Sequence, residues 1–265
     1  MGEKAWTTSI TKVEPNKLSV RGYRLDELMG RLSFAETIYL ILIGDLPEPA
    51  VAKVIDALLV SSIDHGATPP SALAARTAAS TGASLSAALA AGVLSINKFH
   101  GGAIEGCMKF LHAAVDKKHS SGKAAGEIAL ELVRSARQAG ERLPGYGHRI
   151  HTNDPRTGKL ISLAQEAGIA AEYVDMAQAV QASIRQETGK ELPLNIDGAI
   201  AALLCELKFP AELANGLFLI ARMPGLIAHV YEEMTTQLPM RRISPTAHEY
   251  VGPVNRELAR KPGGS

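Results

Sequence analysis

The sequence is poor in aromatic residues, and its charges nearly cancel. Aromatic residues make up 5% of the 265 residues while hydrophobic residues make up 46%. The core must therefore consist mostly of Ala, Leu, Ile and Val, which suits closely packed helices. The formal net charge of +1 gives no average attraction to nucleic acid or to an acidic membrane surface. We expect neither kind of partner.

Cysteine and long apolar segments are also scarce. Cys107 and Cys205 are the two cysteines, and they lie in apolar stretches without the spacing of a metal site. They indicate buried thiols in a reducing compartment. The start, Met-Gly-Glu-Lys-Ala-Trp6, lacks the apolar segment of a signal peptide, and no apolar run looks long and uninterrupted enough to span a bilayer. We expect a cytoplasmic protein.

Helix signals dominate the chain. Residues 5–20 alternate weakly and predict a small β-hairpin with its turn at 14–17. Ser33-Phe-Ala-Glu36 is a capping box, and the small-residue stretch 71–96 predicts a tightly packed helix pair. Further helices are predicted over about 49–62, 103–119, 124–139, 155–167, 171–188, 197–208 and 211–236. The predicted fold class is all-α.

The most informative stretch runs from Pro144 to Arg156 and reads Pro-Gly-Tyr-Gly-His-Arg-Ile-His-Thr-Asn-Asp-Pro-Arg. Its two glycines permit a sharp turn and a close approach to another group, and His148 exchanges a proton near neutral pH. Asn153 or Asp154 can cap the helix that follows. Arg156 falls in the first turn, where the helix dipole disfavours a cation, so we expect an anion nearby. An ordinary loop with an exposed His and a solvated Arg is the alternative.

Other polar residues stand in unusual places. His65, His100 and Asp197 each lie beside glycine at a break between helices. A polar cap on a helix end would explain each histidine, and a plain N-cap would explain Asp197. Arg222 lies in the apolar run 217–227. Because a guanidinium keeps its proton, burial demands an anionic partner. We favour a protein carboxylate over a ligand carboxylate.

A metal site is a further option, but His148 and His151 have no Glu or Cys close enough to complete one. Three histidines, one aspartate and two or three arginines suit another chemistry, the removal of a proton beside a carbonyl in a polycarboxylate or thioester substrate. The aspartate would be the base, histidines would donate to oxygens that become negative, and arginines would hold carboxylates.

Several motifs resemble the citrate synthase superfamily in their order and neighbours. They are Arg21-Gly-Tyr, Ser33-Phe-Ala-Glu36, Asp64-His65-Gly66, Phe99-His100-Gly-Gly-Ala, Gly145-Tyr-Gly-His148 with Asp154-Pro-Arg156, Asn195-Ile-Asp197-Gly, and Ala221-Arg222…Gly225…Ala228-His229…Glu232. The resemblance covers residues 20–252. It implies a citrate synthase-like helical fold that forms a homodimer or higher homo-oligomer. It implies a large domain over 1–103 and 212–265 and a smaller mobile domain over 104–211, which closes over the substrates.

The same resemblance assigns roles. Asp197 takes the α-proton of acetyl-CoA, His100 hydrogen-bonds the thioester oxygen of the enol, and His148 polarises the keto group of oxaloacetate or the hydroxyl of citryl-CoA. Substrate carboxylates are held by His65, Arg149, Arg156 and Arg222, and the backbone of Gly145, Tyr146 and Gly147 lies near CoA. CoA thioesters and di- or tricarboxylates are then substrates, with no permanently bound cofactor and no metal.

Two differences from the citrate synthase pattern bear on which branch of the family this sequence resembles. Only one helix is predicted between Pro47 and Asp64, a compactness that resembles the citryl-CoA lyase branch, including the module within ATP-citrate lyase. Synthases of the family have Arg-Pro where this chain has Ser244-Pro245. That arginine grips a substrate carboxylate from the partner subunit, and Arg241 or Arg242 are candidates to replace it. The hypothesis is reversible cleavage of citryl-CoA or a close analogue to acetyl-CoA and a 2-oxo acid. A condensing acyltransferase and an inactive paralogue acting as a binding subunit are the alternatives.

Overall fold

The computed structural model describes residues 6–147, 154–242 and 249–252. Helices account for most of these residues, so the all-α fold class is confirmed. The helices are α1 Leu25–Leu28, α2 Phe34–Ile43, α3 Pro49–Ser61, α4 Pro70–Ser80, α5 Leu85–Leu94, α6 Ala103–Ser121, α7 Ala125–Ala139, α8 Pro155–Glu166, α9 Glu172–Thr188, α10 Ile196–Glu206 and α11 Ala214–Thr236, which a 3₁₀ turn at Ala211–Leu213 precedes.

The predicted hairpin is present and carries a third strand. Strands β1 Thr11–Glu14 and β2 Lys17–Val20 pair antiparallel, and β3 Tyr23–Arg24 adds to β2. The capping box is also confirmed. Ser33 Oγ accepts a hydrogen bond from the N–H of Glu36 at 3.2 Å, and the Glu36 carboxylate accepts one from the N–H of Ser33 at 2.7 Å.

Helices α6 and α10 lie at the centre of one packing group. Every residue of α10 from Gly198 to Cys205 is buried, because this stretch is apolar or small at each position. Helices α7, α8 and α9 pack around this pair, whereas α2, α3, α4, α5 and α11 form a second group. Contacts of α3 with α8 and of α6 with α11 join the two groups. The domain boundaries at 103/104 and 211/212 stay a prediction.

One segment, Ala211–Thr236, meets the length and hydropathy criteria for a membrane span, with a mean hydropathy of 1.4. The expectation that no apolar run is long enough is therefore wrong by this test. A single such helix is weak evidence, because core helices also pass. Arg222 and Glu233 of this segment are buried and bonded to other parts of the protein, as charged residues are when a helix packs inside a protein.

Candidate active site

A cavity of about 140 Å³ lies where the end of α3, the start of α8 and the start of α10 meet α11. Five of the predicted site residues line it: His65, His100, Arg156, Asp197 and Arg222. They come from five separate segments of the chain, so the fold alone assembles them. His148 and Arg149, also predicted for this site, lie outside the described residues.

Asp197 is not the N-cap of α10. That position belongs to Asn195, whose Oδ1 accepts a hydrogen bond from the N–H of Gly198 at 3.0 Å. The capping explanation for Asp197 is therefore wrong, and its carboxylate stays available at the cavity wall. Burial raises the pKa of Asp197 above its usual value, although the charges of Arg156 and Arg222 act in the opposite direction. A carboxylate with a raised pKa is better suited to proton transfer near neutral pH.

A close crossing of two chain segments sets the start of α10. The N–H of Asn195 donates to the carbonyl oxygen of Gly145 at 3.0 Å, and Asn195 Nδ2 donates to the carbonyl of Gly147 at 2.8 Å. A Cβ on Gly198 would stand 2.4 Å from the carbonyl oxygen of Gly145. Both Gly145, whose φ is +87°, and Gly198 must therefore be glycine. Because these contacts fix the start of α10, they also fix the position of Asp197 at the cavity wall.

Tyr146, between the two glycines, points its ring into the protein. Its hydroxyl donates to the carbonyl of Ala177 at 3.0 Å, and burial raises the pKa of Tyr146 well above its usual value. The predicted contact of Gly145–Gly147 with CoA must therefore come from backbone rather than from the Tyr146 hydroxyl. Gly147 borders a second, larger cavity.

His100 lies in the loop between α5 and α6, and its Nε2 is 2.8 Å from the hydroxyl oxygen of Ser71 on α4. It caps no helix, because Gly102 occupies the N-cap of α6, so that alternative is wrong. Burial lowers the pKa of His100, and the charges of Arg222 and His65 lower it further. His100 is therefore a neutral imidazole at pH 7, able to hydrogen-bond an oxygen without carrying charge into the cavity.

Arg156 is held by the helix cap beside it. Its Nε and Nη2 donate to the two oxygens of Asp154 at 3.0 and 2.7 Å, while Nη1 donates to the carbonyl of Ser61 at 3.2 Å. Asp154 is the N-cap of α8 and accepts from the N–H of Arg156. The anion expected near Arg156 is thus this aspartate. The solvated-arginine alternative is wrong, since the Arg156 side chain is only 26% exposed.

Arg222 is 5% exposed and lies over the ring of Phe218, with Cζ 4.9 Å from the ring centroid. Its Nε donates to the carbonyl of Ser62 at 2.8 Å. Within the described ranges no carboxylate comes within 4.0 Å of this guanidinium, so the favoured protein carboxylate is not found among the described residues. Burial lowers the pKa of Arg222, while Asp64 and Asp197 raise it through their charge. A ligand carboxylate is the remaining one of the two partners considered.

Two features of the site carry no sequence signal. The Ser71 hydroxyl hydrogen-bonds His100, which lies 29 residues later in the sequence. Several other serines lie near Ser71 in the sequence, so nothing there singles out Ser71. The second cavity, of about 530 Å³, lies between α7, α9 and residues 190–192 and has three basic residues in its lining, Arg137, Arg142 and Lys190. Since Asn195 borders the first cavity and bonds Gly147 of the second, the two cavities share a wall.

The two arginines considered as replacements near Ser244 differ. Arg241 Nε donates to Glu233 Oε1 at 2.9 Å, and Arg241 Nη2 also contacts Glu233. Glu233 accepts in addition from Arg76 Nε at 2.7 Å. Arg241 is therefore engaged within its own chain, which leaves exposed Arg242 as the available candidate. Ser244 lies outside the described residues.

Within the described ranges, no group of three or more His, Cys, Asp or Glu side chains is arranged to hold a metal. Cys107 and Cys205 are buried and free, as predicted. Burial raises the pKa of Cys205 to about 12, so its thiol stays protonated and unreactive at neutral pH.

The fold and the cavity define a protein of the citrate synthase class. A family model described as "Citrate synthase, C-terminal domain" matches residues 47–244, and the chain therefore belongs to the citrate synthase family. The citryl-CoA lyase of Hydrogenobacter thermophilus superposes with a TM-score of 0.87 at 44% identity, with 97% of this chain and 98% of that chain covered.

Two further similarities differ in extent. The ATP citrate lyase of Methanothrix soehngenii, in complex with citrate and coenzyme A, has a TM-score of 0.84 at 24% identity over 98% of this chain and 44% of that chain. This is a likeness of fold alone. The citrate synthase of Haloferax volcanii is 30% identical over 207 residues, which are 76% of this chain and 52% of that protein. The chain thus spans about half the length of that citrate synthase.

Proposed function

We propose that this protein is a citryl-CoA lyase-like enzyme. It would reversibly cleave citryl-CoA, or a close analogue, to acetyl-CoA and oxaloacetate or another 2-oxo acid. The observation that carries the proposal is the meeting of His65, His100, Arg156, Asp197 and Arg222 around one cavity. The full-length similarity to a citryl-CoA lyase at 44% identity supports this branch of the family.

The family resemblance assigns His148 to polarise the tertiary hydroxyl of citryl-CoA, and in the cleavage direction its imidazole would accept the proton that this hydroxyl loses. The C–C bond then breaks, its electron pair forms the enolate of acetyl-CoA, and the oxygen becomes the keto group of the 2-oxo acid. His100 hydrogen-bonds the enolate oxygen, and protonated Asp197 returns a proton to the α-carbon. The raised pKa of Asp197 favours the protonated form of the carboxyl, which this proton return requires.

Citrate-like carboxylates would be bound by Arg156 and Arg222 together with His65. Each arginine donates one N–H to a backbone carbonyl at the end of α3, Ser61 for Arg156 and Ser62 for Arg222. Arg156 donates two more N–H groups to Asp154. The guanidinium planes are thereby fixed before substrate arrives, which lowers the entropy lost on binding. The remaining donors are suited to carboxylate oxygens.

The second cavity is the proposed site for the nucleotide end of CoA. Arg142 and Lys190 offer positive charge to its phosphates. The two cavities are adjacent at Gly147 and Asn195, so a pantetheine arm that passes over this wall would reach Asp197. CoA would act as part of the substrate, not as a resident cofactor.

A homodimer would cover the outer faces of α5 and α11. Helix α5, Leu-Ser-Ala-Ala-Leu-Ala-Ala-Gly-Val-Leu, has no charged residue on any face, a composition typical of buried helices, yet Leu94 is 77% exposed. A stripe on α11 continues this apolar surface through Ile227, Tyr231 and Met234. Light scattering should give twice the chain mass. A monomer that stays active would contradict this arrangement.

A condensing acyltransferase is the second candidate, because the Haloferax volcanii citrate synthase is 30% identical. Acetyl-CoA and oxaloacetate supplied together, with a thiol reagent present, separate the two. The lyase should not release free CoA continuously, since it does not hydrolyse the thioester. Free CoA released in step with citrate would identify a synthase, and no chemistry in either direction would favour the inactive paralogue.

A further inference from the structure

A short segment from Ser61, the last residue of α3, to Gly66 carries His65 to the cavity wall. Two of its carbonyls are held by substrate-site arginines, Ser61 by Arg156 and Ser62 by Arg222. These bonds fix the first half of the segment. A third contact fixes the second half and comes from a residue that does not border the cavity, His229 of α11.

His229 Nε2 lies 3.0 Å from Asp64 Oδ1. A carboxylate only accepts hydrogen bonds, so the imidazole N–H is the donor. The other oxygen, Asp64 Oδ2, accepts from the N–H of Gly66 at 2.9 Å. One carboxylate therefore closes the turn on both sides of His65 and ties that turn to α11. The His229 side chain is only 15% exposed, whereas that of Asp64 is 40% exposed, so the imidazole is shielded from water more than the carboxylate is.

The surface of α11 is shaped to receive this segment. A Cβ on Gly225 would stand 2.4 Å from the carbonyl oxygen of Ile63 and 2.8 Å from Asp64 Oδ1. Arg222, Gly225 and His229 follow one another at spacings of three and four residues, so they share a face of the helix. That face contacts the segment in turn through the Arg222 guanidinium, the backbone of Gly225 and the His229 imidazole.

We propose that His229 is a positioning residue for substrate binding: through Asp64 it holds the turn that presents His65 to a substrate carboxylate. The role rests on the proposed function, in which His65 binds citryl-CoA. His229 itself touches no reacting atom. Its loss should weaken binding of the carboxylate equally in the ground state and the transition state, which raises KM and leaves kcat nearly unchanged.

The test compares His229→Ala with His229→Gln, because a Gln amide can reach Asp64 with an N–H donor. We expect the Ala variant to raise KM for citryl-CoA about tenfold and the Gln variant to restore most of it. Asp64→Asn should resemble His229→Ala, and the double variant should add little to either. His119→Ala is the matched control, because it removes another imidazole–carboxylate contact, to Glu172 at 2.7 Å on a distant surface.

Hydrogen exchange supplies a readout that needs no turnover. The amide of Gly66 should exchange faster in His229→Ala than in the wild type, with no change in His119→Ala. Unchanged exchange at Gly66, or KM values equal to the wild type, would overturn the positioning role. So would a loss of kcat that Gln does not restore. A wild-type protein inactive on citryl-CoA would instead overturn the proposed function, while the exchange comparison would still decide whether His229 holds the turn.

Discussion

Replacing Asp197 by Asn should abolish catalysis without weakening the fold. Loss of a general acid or base slows a reaction about 10²–10⁴-fold, which raises the barrier by roughly 2.7–5.5 kcal/mol. The neutral Asn fits the same volume, and Asn195 still caps α10. Turnover of citryl-CoA is the assay, with CoA-ester binding measured separately and expected to remain.

The effect of this variant on stability follows from the raised pKa of Asp197. The folded state disfavours the ionised carboxyl relative to the unfolded chain, so ionisation costs stability. That cost is complete above the folded pKa and disappears as the pH falls below the usual value near 3.8. Asp197→Asn should therefore raise the melting temperature at pH 7, and the gain should shrink towards pH 4.

Asp154→Asn is the matched control in the same site. Asp154 is 3% exposed, and its two carboxylate oxygens pair with Nε and Nη2 on one edge of the Arg156 guanidinium. Removal of its charge leaves a partly buried cation with a weaker partner, a loss of about 1–3 kcal/mol once the exposure of Arg156 is taken into account. The reasoning is refuted if Asp197→Asn keeps more than a tenth of wild-type turnover, or if it destabilises the protein as much as Asp154→Asn does.

Three further experiments test the close approach at Gly198, the role of Ser71 and the second cavity. Gly198→Ala should cost several kcal/mol of stability because its Cβ meets backbone at 2.4 Å, whereas Gly126→Ala, with open space around it, should leave the melting temperature equal or higher; equal values for both would contradict the crossing. Ser71→Ala should lower kcat about tenfold with little change in KM, because the imidazole it bonds loses its orientation; a change confined to KM would speak against that role. Arg142→Ala combined with Lys190→Ala should raise KM for acetyl-CoA far more than KM for a thioester truncated to N-acetylcysteamine; equal increases would remove the second cavity as the nucleotide site.

Local signals predicted most of the helices and the hairpin. The Ser33–Glu36 box and the turn at residues 14–17 involve only residues close in sequence, so the sequence alone specifies them. At the start of α10, local signals do not determine which residue caps the helix. Asn195 and Asp197 can both cap a helix, and the choice is made by the carbonyl of Gly145, 50 residues away, which binds the N–H of Asn195.

Five of the residues that line the first cavity were singled out from the sequence, but their hydrogen-bond partners were not. Chemistry and family motifs select Arg222, yet its hydrogen-bond partner is the carbonyl of Ser62, 160 residues away. Backbone carbonyls have no sequence signature, and the rule that buried arginines need carboxylates does not predict this hydrogen bond. His229 appears in a recognised motif, but only the fold brings it against Asp64.

The central claim is that this cavity breaks the C–C bond of citryl-CoA and leaves the thioester intact. The most direct test gives purified protein citryl-CoA and follows acetyl-CoA, the 2-oxo acid and free CoA in the same sample. Acetyl-CoA and oxaloacetate in equal amounts, with no free CoA and with Asp197→Asn inactive, is the predicted result. Free CoA and citrate instead would mean that water reaches the thioester, and the lyase assignment would be wrong.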